Sequence, residues 1–341
     1  MTEIIKSLIK DKSYDFLRDN EHLGNNIIFL TLGGSYAYGT NIEGSDIDIR
    51  GVALNRKPDL IGLSNFEQYV SNETDTTVYG FNKLISLILN CNPNTIEMLG
   101  CKPEHYFNVA PMGRELIDNV HLFLSKRAVY SFGGYANAQL RRLQNALARD
   151  KYNQTEKEQH MLSSIKGAMY SFDERYKHFE NGSIMLSIDK SDKENLETEI
   201  FADVNLKHYP LRDYKSMWSD MNTIIKEYSK LNGRNKKKDE MHLNKHAMHL
   251  VRLYLMAFDI LEQEKVITYR DKDHNLLMSI RNGDYTKEDG TYKSEFFEMI
   301  NDFDKRLSYD NKNTSLPEKP DYKKVEEYVM SVNERVVKDD Y

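Results

Sequence analysis

The chain has 341 residues, with 47 Lys and Arg against 53 Asp and Glu, which gives a formal net charge of −6. Its 40% hydrophobic and 29% charged residues are typical of a globular protein, and no apolar run has the length needed to span a membrane. The two cysteines are too few for a disulfide framework. This composition argues against a membrane protein and against a small protein stabilised by disulfides. We expect a cytoplasmic protein with one large domain or two smaller ones.

The first predicted elements lead into a glycine turn. The spacing of apolar residues predicts an amphipathic helix over residues 3–19 and a buried strand over residues 26–32. That strand ends at Gly33-Gly34, where the backbone can adopt conformations closed to other residues. Ser35 follows directly, so a hydroxyl and free backbone N–H groups would lie at the mouth of a pocket and could bind a triphosphate.

Two carboxylates follow this turn, in a strand predicted over residues 46–54. Because side chains at i and i+2 of a strand share a face, Asp46 and Asp48 would point the same way, while Ile47 and Ile49 face the buried side. Carboxylates this close repel each other unless a cation lies between them, and hard oxygen ligands suit Mg²⁺. A hairpin whose aspartates merely face solvent is the alternative interpretation, and the nearby glycine turn favours the metal site.

This turn and these carboxylates resemble the signature of the DNA polymerase β-like nucleotidyltransferases, which transfer a nucleotidyl group from an NTP to an acceptor hydroxyl with two metal ions. The resemblance implies that Asp46 and Asp48 ligate both ions, Mg²⁺ or alternatively Mn²⁺, and that the turn holds the terminal phosphates. The residues of this region that we predict to bind the nucleotide are Gly34, Ser35, Tyr38, Gly39, Thr40, Ser45 and Lys83.

The superfamily also needs a third carboxylate on a following strand, which we predict over residues 69–79 from its β-branched and aromatic residues. Glu73 and Asp75 alternate on one face of that strand and compete for the role. We choose Asp75, because Asp is shorter and holds a metal more rigidly, and because it lies just before a helix containing Lys83. An edge strand with polar residues facing water is the alternative.

Further motifs, in the expected order, are similar to a narrower family, the predicted nucleotidyltransferases that include RNA repair ligase-associated enzymes. They are Asp75…Tyr79…Lys83…Asn92-Pro93-Asn94…Glu97, Tyr135…Gln139-Leu140-Arg141-Arg142-Leu143, Lys245-His246-Ala247-Met248-His249-Leu250-Val251-Arg252-Leu253 and Ile280-Arg281-Asn282-Gly283. This resemblance covers most of the chain.

From about residue 122 the pattern becomes helical. Helices are predicted over residues 122–150, 154–180, 211–231, 239–265 and 320–338, with connections over residues 183–203 and 232–238. We therefore expect an α+β fold, in which a polymerase β-like mixed sheet with helices (residues 1–122) is followed by an α-helical domain (residues 123–341). The second domain would contribute to nucleotide and acceptor binding.

Two basic features of the helical part could meet phosphate. Residues 126–149 contain five basic residues and no acid, interleaved with aromatics, which suits single-stranded nucleic acid. Within them, Arg141 and Arg142 are candidate acceptor-binding residues, although they could equally contact the donor triphosphate or be solvated. Lys245, His249 and Arg252 share one face of a predicted helix and are predicted to bind the nucleotide, although an RNA phosphate or buried acids could equally supply the opposite charge.

We therefore predict an enzyme that transfers an NMP from an NTP to an acceptor hydroxyl on RNA, with tRNA or an RNA end as natural candidates. The alternatives are nucleotidylation of a protein or small-molecule hydroxyl and a non-catalytic nucleotide-binding module. The intact pair of carboxylates argues against the last, because a binding module does not need a metal site.

Overall fold

The computed structural model describes residues 7–151, 159, 162, 184–190, 198–204, 209–232 and 240–340. Its strands are β1 (Ile27–Leu32), β2 (Ile49–Ala53), β3 (Gln68–Ser71), β4 (Thr76–Gly80), β5 (Tyr106–Phe107), β6 (Ile184–Lys190) and β7 (Thr198–Val204). The N-terminal helices are α1 (Phe16–Asp19), α2 (Gly34–Tyr38), α3 (Lys57–Ile61), α4 (Phe81–Ile88), α5 (Pro93–Ile96) and α6 (Pro111–Asp118). The later helices are α7 (Arg127–Lys151), α8 (Tyr214–Asn232), α9 (Glu240–Gln263), α10 (His274–Asn282), α11 (Ser294–Asn313) and α12 (Tyr322–Val337).

The first five strands form a mixed sheet in the order β3-β4-β2-β1-β5. Strand β2 pairs antiparallel with β1 and parallel with β4, and the pairs β3–β4 and β1–β5 are antiparallel. With helices packed around the sheet and helices dominating the rest of the chain, the α+β class is confirmed. The apolar face behind the predicted carboxylates is also confirmed, since Ile49 is fully buried and Ile47 packs against the same core.

The strand predicted over residues 46–54 is shorter, since β2 covers Ile49–Ala53 and Asp46 and Asp48 precede it. Two further predicted elements of the N-terminal region are wrong in detail. The strand predicted over residues 69–79 is two antiparallel strands, β3 and β4, joined by a turn in which Asp75 has a φ of 44°. The described part of the helix predicted over residues 3–19 is interrupted, because a 3₁₀ turn (Lys12–Tyr14) precedes the short helix α1. In both places a local turn ends the regular pattern that the apolar spacing suggested.

The helical region differs from its prediction at a hairpin. Residues 183–203, predicted as a connection, contain most of the antiparallel pair β6 and β7, and Leu186 and Ile200 of this pair pack against Ile224 of α8. The helices predicted near residues 122–150, 211–231, 239–265 and 320–338 are present as α7, α8, α9 and α12. The helix predicted over residues 154–180 and the connection over residues 232–238 lie almost wholly outside the described residues.

The chain divides into two compact units. The first contains residues 1–139, 247–285 and 294–341, and the second contains residues 140–246 and 286–293. The five-stranded sheet therefore shares its unit with C-terminal helices, while the hairpin belongs to the second unit. The predicted catalytic domain (1–122) and helical domain (123–341) do not coincide with these two units. The assignment of a separate function to each predicted domain stays a prediction.

Within the part of the chain that the structure describes, no helix combines the length and the apolar character that a membrane crossing requires.

Candidate active site

The glycine turn lies between β1 and α2 and is fastened to the strand that follows it. Gly33 N–H donates to the carbonyl of Asp48 at 2.8 Å. Gly34 has a φ of 54°, a left-handed conformation that glycine adopts at little cost. The backbone N–H groups of Gly34 and Ser35 open helix α2, where the first N–H groups have no intrahelical acceptor. The turn therefore presents backbone donors beside the buried hydroxyl residue Ser35.

The side chain of Asp48 lies directly on this turn. A β-carbon on Gly34 would clash with Asp48 Oδ2, and one on Gly33 would lie 3.2 Å from Asp48 Cβ. The absence of side chains at both glycines thus makes room for the carboxylate. Asp46 lies two residues earlier, before the start of β2, and is exposed. Gly34 and Asp48, distant in the chain, therefore lie side by side where β1 ends and β2 is about to begin.

An arginine that the sequence reasoning missed lies against the same turn. Arg50 Nη2 donates to Asp48 Oδ1 at 3.0 Å, and Nη1 donates to the carbonyls of Ile49 at 3.0 Å and Asp75 at 2.7 Å. Its Cγ would lie 3.0 Å from a β-carbon on Gly33. The available signal was its spacing, since in the strand predicted over residues 46–54 a residue two positions after Asp48 would share its face.

The predicted third carboxylate lies near Asp48 through its backbone. The parallel register pairs Ile49 with Thr76, and Ile49 N–H donates to the carbonyl of Asp75 at 3.2 Å. Asp48 and Asp75 thus precede neighbouring strands at the same edge of the sheet. The side chains of Asp75 and Glu73 are both exposed, and both residues lie in the turn between β3 and β4. The strand alternation invoked for them is therefore wrong, and the role of Asp75 stays a prediction.

A buried ion pair lies behind α2. Tyr38 Oη donates to both carboxylate oxygens of Glu97, at 2.9 and 3.0 Å, and Arg252 Nη1 donates to Glu97 Oε2 at 3.1 Å. The guanidinium carbon of Arg252 also lies 3.7 Å from the centroid of the Tyr38 ring. Burial raises the pKa of Tyr38; the Arg252 charge opposes this rise, and the charges of Glu97 and Asp48 add to it. This cluster fastens the helix after the glycine turn to helix α9.

An NTP, an RNA phosphate or a buried acid could supply the negative charge opposite the basic face of α9. For Arg252 the structure shows a buried acid. Glu97 has relative exposure of only 7%, so the Arg252 charge is matched inside the protein. His249, one turn earlier, makes a T-shaped ring contact with Tyr38, with 6.0 Å between ring centroids. Lys245 is exposed and belongs to the second unit. Their predicted nucleotide contacts stay predictions.

The other predicted residues have structural partners or lie elsewhere. Lys83 Nζ bonds Glu67 Oε2 at 2.9 Å, and Ser45 Oγ accepts a hydrogen bond from Ile42 N–H at 2.9 Å. Thr40 is fully buried, and its carbonyl accepts from Arg281 Nη1 at 2.5 Å. Gly39 ends α2 with a φ of 73°.

The two predicted acceptor-binding residues, Arg141 and Arg142, are exposed on the part of α7 that belongs to the second unit. Exposure leaves both guanidinium groups accessible to a phosphate, which agrees with the prediction without testing it.

A cleft of about 250 Å³ borders the far side of the turn, next to Leu32 and the segment that leads into β5. Tyr36, Gly39 and Asn41 line it on one side, with Tyr269 and Lys102 beyond them. The Lys102 ammonium lies 3.4 Å from the centroid of the Tyr269 ring. Strand β1 lies between β2 and β5. Asp48 therefore lies on the β2 side of the glycine turn, and this cleft lies on its β5 side.

The donor set fits a divalent cation in part. Mg²⁺ often takes one or two protein carboxylates and completes its shell with water and substrate phosphates. Asp46 and Asp48 offer such oxygens, and the missing β-carbon of Gly34 brings the backbone of the turn to the Asp48 carboxylate. Among the residues that the structure describes, no group of three His, Cys, Asp or Glu side chains is placed to hold a metal.

The five-stranded mixed sheet with helices packed around it agrees with the fold expected of a polymerase β-like nucleotidyltransferase. The family model RlaP, described as the RNA repair pathway DNA polymerase beta family, matches residues 8–331, and the chain belongs to this family. The resemblance inferred from the sequence motifs is thereby confirmed. Searches of curated proteins and of solved structures found no match.

Proposed function

We propose that this protein transfers an NMP from an NTP to a hydroxyl group of an RNA acceptor, with a divalent cation held by Asp46 and Asp48. The observation that carries the proposal is the contact between the Asp48 carboxylate and Gly34, which joins a cation ligand to a phosphate-binding turn. A cation there would neutralise the phosphate charge that develops as pyrophosphate leaves. Mg²⁺ is the natural ion for this oxygen set, and Mn²⁺ a substitute.

The chain's own groups bind and orient the nucleotide. The N–H groups of Gly34 and Ser35 donate to phosphate oxygens, as backbone donors of a glycine-rich turn do. The Glu97 cluster holds Tyr38, and with it the far end of α2, in place. A second cation, as in the two-ion prediction, would need the Asp75 carboxylate as a further ligand, and Asp75 directly precedes the residue that pairs with Ile49.

The acceptor class rests on the family, whose description refers to RNA repair. Exposed Arg141 and Arg142 in the second unit are the residues that we assign to the acceptor backbone. A protein or small-molecule hydroxyl is the alternative acceptor.

The test is incorporation of label from each of the four α-³²P-labelled NTPs into total RNA with Mg²⁺, followed by digestion of half of each sample with RNase and half with protease. The proposal expects label that RNase removes and protease does not, and none with the Asp48→Asn variant. Label that resists RNase and disappears with protease would contradict the RNA acceptor. Incorporation by Asp48→Asn at the wild-type rate would contradict the assignment of the site.

A further inference from the structure

The guanidinium of Arg50 lies directly beside the Asp48 carboxylate. It bonds one carboxylate oxygen and two backbone carbonyls at 2.7 to 3.0 Å, so three acceptors fix its position. Both side chains of the pair are about a quarter exposed, at 26% and 25%. The pair is therefore reached by solvent and by ligands, unlike the buried Glu97–Arg252 pair.

The same guanidinium lies against the phosphate-binding turn. A β-carbon on Gly33 would lie 3.0 Å from Arg50 Cγ and 3.6 Å from Arg50 Nε. Gly34 thus leaves space for the acid and Gly33 for the arginine. Any phosphate bound by the turn would lie next to a planar group that suits bidentate phosphate recognition.

We propose that Arg50 has two roles, as the counter-ion of Asp48 in the free protein and as a ligand of the nucleotide phosphates once a divalent cation takes its place on Asp48. This inference rests on the proposed function and adds a phosphate ligand to it. The reason is electrostatic: two cations beside one carboxylate repel each other, so bound metal weakens the Arg50–Asp48 bond. A phosphate then supplies the negative charge that the guanidinium has lost.

The proposal predicts opposite effects on two ligands. Without Arg50, the cation has no competitor, and the phosphates have one positive charge fewer. We expect Arg50→Met to bind Mn²⁺ alone about three- to tenfold more tightly than wild type, as loss of a partly exposed charge interaction allows. We expect the same variant to bind nucleotide about tenfold or more weakly, since charge-assisted bonds to phosphate are strong.

The experiment measures Mn²⁺ binding by electron paramagnetic resonance, and then titrates ATP, CTP, GTP and UTP in turn at saturating Mn²⁺ by calorimetry, with no acceptor present. Arg50→Lys keeps the charge without the planar fork, so its Mn²⁺ affinity should stay near wild type while nucleotide binding weakens. The matched control is Arg56→Met, because Arg56 is also 26% exposed and pairs with Glu21 and Asp59 away from the turn.

Opposite changes for Mn²⁺ and nucleotide in Arg50→Met, absent in Arg56→Met, would support the proposal. Weaker or unchanged Mn²⁺ binding by Arg50→Met would overturn the proposal, and so would unchanged nucleotide binding. If Arg50 had only a structural role, its loss would lower the affinity for both ligands or for neither. If Arg50→Met does not fold, Arg50→Lys decides: unchanged nucleotide affinity in that variant overturns the phosphate contact. Absence of Mn²⁺ binding by the wild type would instead overturn the proposed function itself.

Discussion

The carboxylate of Asp48 rests on the backbone of Gly34, so the proposed metal ligand and the proposed phosphate-binding turn are parts of one surface. Neither residue could be larger or differently shaped without moving the other. The contact joins the end of β1 to the start of β2, and it explains why two glycines stand side by side between strand and helix. The family's nucleotidyl-transfer chemistry would take place at this contact.

Substitution of Gly34 by Ala should therefore impair both folding and function. The variant places a β-carbon against Asp48 Oδ2 and also a side chain at a φ of 54°, a conformation that costs about 1–2 kcal/mol. We expect a lower thermal midpoint and loss of most transfer activity. Gly44→Ala is the control, because Gly44 has a φ of 78° but, its two chain neighbours aside, no atom of the described residues lies within 4 Å of the place that its β-carbon would take. It should lose some stability and keep its activity; equal activity losses in the two variants would contradict the role of the contact.

The choice of Asp75 over Glu73 can be tested directly. Asp48 and Asp75 directly precede Ile49 and Thr76, the first paired residues of β2 and β4, whereas Glu73 is two residues farther into the turn. We expect Asp75→Asn to lower the transfer rate at least about tenfold by removing a potential oxygen ligand. Glu73→Gln should stay near wild type in the same labelled-NTP assay. The reverse order of effects would assign the third carboxylate to Glu73.

The Glu97–Arg252 pair should dominate the stability of the first unit. Removing one partner of a buried pair leaves an uncompensated charge, so Glu97→Gln and Arg252→Met should each cost about 3–5 kcal/mol in the free energy of unfolding. The double variant should cost less than the sum, since both charges are then gone. Urea unfolding of the four proteins gives the coupling. A surface pair, Lys338–Glu334, serves as control and should show none. Additive costs for the buried pair would mean that the two side chains act independently.

Asp310 on α11 should make stability depend on pH. Burial raises the pKa of this carboxyl from 3.8 to about 6; the charge of Glu262 adds to the rise, and that of Arg306 opposes it. Because the folded state binds the proton more tightly, the stability from this group is present below about pH 4 and lost as the pH rises through about 6. The difference in thermal midpoint between Asp310→Asn and wild type should therefore shift in favour of the variant as the pH rises from about 4.5 to about 7.5. A difference between the two proteins that does not change with pH would contradict this reasoning.

Local sequence patterns predicted the strands near the candidate site, but they did not predict the turn between β3 and β4 or the hairpin β6–β7. The apolar run of β1, the glycines after it and the alternation around Ile49 predicted the turn and the buried face correctly. The turn at Asp75 was missed, because β-branched residues on both sides of it give one continuous strand signal. The hairpin β6–β7 was taken for a connection, since its pairing depends on a partner strand and on the packing of α8.

Contacts between distant residues could not be predicted from one sequence. Glu97 and Arg252 both appeared in motifs, but they are 155 residues apart, and only the folded chain shows that they pair. The same is true of Arg50, whose spacing from Asp48 was visible while its contacts with Gly33 and with the Asp75 carbonyl were not. Charge pairing across the chain is set by tertiary packing, which periodicity does not encode.

The most direct test of the central claim is calorimetry of nucleotide binding with and without Mg²⁺, comparing wild type with the Asp46→Asn/Asp48→Asn double variant. If these carboxylates hold the cation beside the glycine turn, at least one of the four NTPs will bind wild type in a Mg²⁺-dependent way, and the double variant will lose that dependence while keeping its thermal midpoint. The same Mg²⁺-dependent heat in the double variant, or none with any NTP in the wild type, would contradict the account.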